Sequence, residues 1–394
     1  MKKPKLNNKN KFVVKLGFII IIVLLLLGGI TIEYTVEQNE TLKGKADFQL
    51  TYRYRMQNQG PLNLSSVSLR LALLKTWDPV QTVDSINIRT EPNQTTSDEY
   101  ENSFVWYNYE NFNVGQWIDL QFDVNITLNL LDYSTAKLNV LDYDVNDPLY
   151  KLYTRYHPFT DTTDPGIQKV AQELTSSNNP LEIAYEAYNF SSTYITYKLL
   201  TNEKGAPWAL RNAYGDCNEY TDLFMALIKA RGVPAVEHTA WLAEFKEGFT
   251  TSDEGAAAHA YPMFYINGIG LLPADPTRGN SNLFDNWLKT DEQRITLTRG
   301  PDQPYRKLVY RWIPVEGIDS PLIQSNYTIT INKLDINYFS TLRKVLVILV
   351  IGIPTVFAIY NIVKGRFARN NAIDKREKLL SPTRKALESK KNNP

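Results

Sequence analysis

From about residue 45 to residue 130, apolar side chains recur at every second position. Phe48, Leu50, Tyr52, Tyr54 and Met56 alternate with polar partners, and so do Val67, Leu69, Leu71 and Leu73. Ile118, Leu120, Phe122, Val124, Ile126 and Leu128 make the longest such run. Successive strand residues point to opposite faces, so a period of two marks half-buried strands. The turn-rich stretches Gln57–Pro61 and Glu91–Ser97 separate the runs. Together they predict a β-sandwich over residues 40–155.

The period changes to that of a helix near residue 165. Ile167, Val170, Ala171 and Leu174 mark one helix, ended by Ser-Ser-Asn-Asn-Pro, and Leu181 to about Ser192 marks a second. The intervening stretch, 142–165, is rich in Asp and Pro (DYDVNDP, then TDTTDP). Its spacing matches no EF-hand loop, so it reads as a linker with solvated carboxylates rather than a calcium site. An α+β core is expected over 160–290. Strand patterning returns at Leu308, Tyr310 and Trp312, then at Tyr327, Ile329 and Ile331. This C-terminal β segment, 291–342, could pack on either earlier unit.

Two uncharged runs bracket these units, Leu16–Ile32 and Val345–Val363, of lengths expected of transmembrane helices. Pro354 in the second is tolerated in membrane helices. Residues 1–15 carry six lysines and no acid, and residues 364–394 carry ten Lys or Arg against three acids, charges of +6 and +7. With a net charge of +1, the stretch between carries −12. By the positive-inside rule both tails, 1–15 and 364–394, are expected in the cytoplasm, the rest outside, and the protein in the plasma membrane with lipid around both helices. The sequons at Asn39, Asn63, Asn93, Asn125, Asn189 and Asn326 all fall between the two runs, which suits an extracytoplasmic glycoprotein. A mildly acidic body argues against nucleic acid as a partner.

A single cysteine, Cys217, excludes an intrachain disulfide and any multi-cysteine metal centre. It sits in Gly215-Asp-Cys-Asn-Glu-Tyr, ahead of Leu223, Phe224, Leu227 and Ile228 at helical spacing and a stop at Gly232 and Pro234. Asp216 and Glu219 have capping-box spacing, which makes Cys217 the first helical residue. There the macrodipole and unpaired N–H groups favour a thiolate and a developing oxyanion. A nucleophile needs a base, and the base an orienting group. Of the three histidines, His259 enters a strand in Ala-Ala-Ala-His-Ala-Tyr-Pro-Met-Phe-Tyr, and Gly270-Leu-Leu-Pro-Ala-Asp-Pro-Thr277 returns beside it with Asp275 at its end. The alternatives are a small buried cysteine, a surface histidine and an ordinary Asp-Pro-Thr turn. His238 is expected on the strand after the helix in a structural or exposed position. His157 has no evident partner.

The stretch from about 165 to 285 resembles the transglutaminase-like superfamily, with its papain-like cysteine-protease core. The motifs run in order: Ile167-Gln-Lys-Val-Ala-Gln-Glu-Leu, Ile195-Thr-Tyr197, Gly205-Ala-Pro-Trp-Ala-Leu210, Gly215-Asp-Cys-Asn-Glu-Tyr, Arg231-Gly-Val-Pro-Ala, His259-Ala and Asp275-Pro-Thr. They cover about a third of the chain. The resemblance implies Cys217 as nucleophile, His259 as base and acid, and Asp275 as its orienting group; nothing in the sequence calls for a cofactor or a metal. The resemblance also implies attack on amide carbonyls of peptides, proteins or cell-surface polymers through an acyl-thioester. Tyr261 follows His259-Ala where the family usually has Trp, and Leu271-Leu-Pro-Ala replaces its usual tryptophan before Asp-Pro-Thr. No side-chain oxyanion donor is evident, and Tyr197 is expected to pack. The fold expected is therefore α+β: a transglutaminase-like core preceded by a β-sandwich and flanked by two transmembrane helices. The competing reading is an inactive transglutaminase-like binding module at the cell surface.

Overall fold

The computed structural model describes residues 41–338, apart from 135, 243–248, 252–257, 279–285, 302–305 and 313–322. Six strands come first: β1 Leu42–Asn58, β2 Leu64–Leu73, β3 Gln81–Ile88, β4 Gln94–Ser97, β5 Ser103–Phe112 and β6 Trp117–Leu131. β1 and β6 pair antiparallel, with Phe48 opposite Ile126, Tyr52 opposite Phe122 and Met56 opposite Ile118. This register puts the alternating apolar residues of both strands on one face, where they are buried. Tyr52 stacks on Phe122 with ring centroids 4.4 Å apart. β4 forms where the sequence predicts a turn. It is a short polar edge strand with no apolar face to read, held by pairing with β5 and by the Trp106 Nε1–H donating to Thr96 Oγ1 at 3.0 Å.

Three helices share one start signal. α1 Pro148–Thr154, α2 Pro165–Glu173 and α3 Pro180–Tyr194 each place proline after an N-cap of Asp147, Asp164 or Asn179. The cap side chain accepts first-turn N–H groups, and proline at the first position gives up only a donor that would be orphaned anyway. The Asp/Pro-rich stretch that reads as a solvated linker therefore starts two helices. A short parallel pair, β7 Thr196–Tyr197 with β8 Tyr214–Gly215, brackets α4 Ala206–Asn212 and leads into α5 Cys217–Lys229. Next come β9 Ala235–Leu242, β10 Phe249–Thr251, β11 Ala258–Ile266, β12 Gly270–Pro273, β13 Arg294–Arg299, β14 Arg306–Trp312 and β15 Ile323–Tyr338.

β12, β11, β9 and β13 form the core sheet in that order. α5 packs on it through a fully buried face, with Phe224 edge-on to Phe264 at 6.2 Å. The last strands divide between the two units: β13 pairs with β9, β14 with β2, and β15 lies beside β1. The sandwich is thus a five-stranded sheet, β10-β15-β1-β6-β3, facing a four-stranded one, β14-β2-β5-β4. The units share apolar packing, since Trp241, Ile295 and Leu297 of the core sheet join the sandwich's buried cluster.

Two features of the expected fold class are corrected. The described chain is mostly β rather than balanced α+β, with strands over 46% of it and five short helices. The strands after 291 and the core's own sheet outweigh the helical period, which spans only residues 148–229. The flanking transmembrane helices are not supported: among the described residues no helix is long and apolar enough to cross a membrane. The longest, α3, has 15 residues and spans about 22 Å at 1.5 Å per residue, short of a hydrocarbon core of roughly 30 Å. Residues 16–32, 345–363 and both basic tails lie outside the described residues.

Candidate active site

The N-terminus of α5 is built around Gly215-Asp-Cys. Asp216 caps the helix, its side chain accepting the Asn218 N–H at 3.1 Å and the Leu200 N–H at 3.0 Å. Glu219 returns to the Asp216 N–H at 3.0 Å and takes the Lys204 N–H at 2.8 Å. This capping box crosses so close to the chain that a Cβ on Gly215 would lie 2.3 Å from Glu219 Cβ. Glycine is required there by the close approach. Cys217 is the first helical residue, as the spacing predicts.

β12 is shorter than β11, and that exposes an edge. Its register ends with Pro273 opposite Met263, and Ala274 N–H reaches the Pro262 carbonyl at 3.2 Å. Alternate residues present their backbone groups to the same edge, so Ala260 faces the side that β12 does not cover. α5 takes that place. The Thr221 hydroxyl, one turn after Cys217, donates to the Ala260 carbonyl at 3.1 Å. The helix terminus is therefore fixed to the residue next to His259.

His259 and Asp275 meet behind this junction, His259 Nε2 lying 2.8 Å from Asp275 Oδ2. Both are buried. Arg294, on β13, reaches the same carboxylate oxygen from Nε at 3.0 Å and Nη2 at 2.8 Å. Burial alone would raise the Asp275 carboxyl. His259 and Arg294 together outweigh it and hold the group below the usual carboxylate range. A small pocket lined by Val80, Tyr261, Asp275, Lys289 and Arg294 lies on the Arg294 side of the pair, and Cys217 is not in its walls.

The thiol differs from the expectation. Burial pushes Cys217 up to about 12, with Asp216, Asp275 and Glu237 adding to the rise and the Ala260 N–H opposing it. Desolvation disfavours the charged form more than one turn of helix dipole favours it. The acidity continues along α5, where carboxylate oxygens of Glu203, Asp222 and Glu237 lie within 4.8 Å of one another. They are the described groups close enough to share a cation. Burial, and then Glu203 and Glu237, hold Asp222 well above the carboxylate range.

The remaining predicted residues are dispersed. His238 is on β9 and fully buried, its Nδ1 3.2 Å from the Tyr261 hydroxyl; burial first, then Arg299, lowers it well below the usual histidine value. His157 lies against Phe159, ring centroids 5.4 Å apart. Tyr197 is 56% exposed on β7, and partial burial first, then Cys217 and Asp216, raise its hydroxyl above the usual tyrosine value. Sequence reasoning missed Arg294 and Thr221. Thr221 carried a signal, being one helical turn from Cys217. Arg294 carried none, since an arginine opening an alternating strand reads as surface.

The family model of the transglutaminase-like superfamily matches residues 168–276, so a transglutaminase-like core holds α5, β11 and the Asp275 turn. Among solved structures, a protein from Cytophaga hutchinsonii described as a "putative cysteine protease" matches with a TM-score of 0.51 at 14% identity, over 74% of this chain and 91% of that one. A "putative protease" from Parabacteroides distasonis matches at 12% identity with a TM-score of 0.23, over 50% of this chain and 58% of that one. At such identity the first likeness shows the fold alone. No curated protein sequence matches the chain.

Proposed function

We propose that the chain is a thiol acyl-transfer enzyme acting on amide carbonyls of peptides, proteins or cell-surface polymers, with Cys217 as nucleophile, His259 as base and acid, and Asp275 as its orienting group. The observation that carries this reading is the His259 Nε2–Asp275 Oδ2 pair at 2.8 Å, tied to the start of α5 by the Thr221 hydroxyl's bond to the carbonyl of Ala260, the residue after His259. Asp275 engages Nε2 of the His259 imidazole, which leaves Nδ1 for the proton of the Cys217 thiol.

A partly buried thiol whose ionisation is disfavoured in this way does not begin as a free thiolate. The S–H proton passes to His259 Nδ1 as sulfur attacks the carbonyl carbon, and Asp275 stabilises the imidazolium that forms. The Cys217 N–H, which has no intrahelical acceptor at this position, donates to the oxyanion. Collapse breaks the C–N bond, and the imidazolium protonates the departing amine. Water or a second amine then attacks the thioester, giving its proton to His259 and returning the thiol.

A second reading, a non-catalytic binding module, is favoured by one observation, the thiol's rise to about 12. The two separate on acylation. Incubated with p-nitrophenyl acetate, the full chain is expected to gain one acetyl group on Cys217 by mass spectrometry, abolished in Cys217→Ala and slowed at least about 100-fold in His259→Ala. No adduct, or one formed equally fast without His259, sinks the enzyme reading.

A further inference from the structure

Arg294 is an expensive residue to keep where it is. Its side chain is 6% exposed, and a buried guanidinium is retained only when its donors are met. All three nitrogens are used: Nε and Nη2 on Asp275 Oδ2, Nη2 also on Asn286 Oδ1 at 2.8 Å, and Nη1 on Asp291 Oδ2 at 3.0 Å. Asp275 Oδ2 is thereby the common acceptor for Arg294 and His259, while Oδ1 has no partner among the described residues. The guanidinium also lies over the Tyr261 ring at 5.6 Å, and that ring runs parallel to the His259 ring at 6.3 Å. Tyr261 is fixed in turn by Thr296, its hydroxyl 2.8 Å from Thr296 Oγ1.

Arg294 and Thr296 stand on one strand, and that strand is held from the sandwich. The buried Gln81 side chain donates to the Thr296 carbonyl and accepts the Thr296 N–H, both at 2.8 Å. Asn102 does the same to Arg299, with both bonds at 2.7 Å. Two amide side chains thus act on the outer edge of β13 as a neighbouring strand would.

We propose that Arg294 is a positioning residue, fixing Asp275 Oδ2 opposite His259 Nε2 from a strand whose place is set by the sandwich. The inference rests on the roles given above to His259 and Asp275. Without the arginine, burial acts on Asp275 with only His259 to oppose it, and the carboxylate is free to turn its unpaired oxygen. The charged and titratable groups around Asp275 are His259 and Tyr261 on β11, Arg294 on β13, Cys217 on α5, and Lys289 and Asp291 between β12 and β13.

The test uses the full chain labelled with 15N-histidine, which has three histidines to assign. His259→Ala identifies the downfield proton of the His259 Nε2–H bonded to Asp275. In wild type this resonance is expected to persist below the ordinary carboxylate range. In Arg294→Met it should vanish at a pH about 1–3 units higher, the usual effect of a neighbouring charge. Should that variant not fold, Arg294→Lys decides: an ammonium keeps the charge but not the fork, so the loss should fall between wild type and about pH 4. A resonance that survives as in wild type in Arg294→Met, or in Arg294→Lys when that is the folded variant, overturns the proposal. The readout does not involve Cys217, so an inert thiol beside an intact, arginine-dependent resonance would count against the enzyme reading and not against the clamp.

Discussion

The sandwich and the transglutaminase-like core bury very different things. Within the sandwich the buried polar residues are the neutral amides Asn58, Gln81 and Asn102. Its charged pairs, Arg53 with Asp119 and Arg89 with Asp123, lie on the outer surface, where such pairs contribute little. Every buried aspartate, glutamate, histidine and arginine among the described residues falls between Asp216 and Arg299. Buried charge costs stability unless it is paired, so a chain that confines it to one region marks where chemistry is retained. The sandwich is held by area and shape; the core also carries a polar network that area would not select.

The sharpest way to break this contrast is inside the network. Asp275→Asn removes the charge that His259 and Arg294 share and is expected to slow acetylation of Cys217 by about 10²–10⁴-fold, measured by mass spectrometry. The sandwich counterpart is Phe122→Ala. It empties a fully buried ring site stacked on Tyr52 and should cost about 3–5 kcal/mol in denaturant unfolding, with no new pH dependence. Were it to alter the pH profile, the two regions would not be separable in this way. Gln81→Leu crosses between them: it strips two backbone bonds from β13 and should cost about 2 kcal/mol, while weakening the His259 resonance from outside the core.

The smallest effect is a slope. His238 is lowered in the folded protein by burial and by Arg299, so below about pH 6.5 the unfolded chain binds a proton that the folded one does not. Stability is therefore lost as pH falls from that value, by up to about 1.4 kcal/mol per unit. His238→Asn should flatten that limb relative to wild type in urea titrations at pH 5 and 7. An unchanged slope would mean that His238 is protonated in the fold.

The same contrast governs what the sequence could reveal. The runs Phe48–Met56 and Ile118–Leu128 were legible because one buried face imposes a period of two. The start of α5 was legible because Asp216, Glu219 and Gly215 act on their near neighbours. Period alone names a face but not a partner, so it could not assign β13 to the core sheet and β14 and β15 to the sandwich. β4 had no apolar face at all. In the site, the pairing of His259 with Asp275 and the place of Cys217 at the start of α5 were readable, whereas Arg294 meets Asp275 only through the sheet. The thiol's setting was misjudged for a related reason: the helix terminus is local, but its desolvation and the charge of Glu237 come from the strands that cover it.

The central claim is that His259 takes the proton of Cys217, and alkylation tests it most directly. The rate of Cys217 modification by iodoacetamide is followed against pH in the full chain and in His259→Ala. Unassisted, a thiol pushed up to about 12 is almost wholly unreactive near neutrality. The account predicts rapid modification of wild type between about pH 6 and pH 8, lost in His259→Ala. Identical profiles for the two proteins, or no reaction in either below about pH 10, would contradict it.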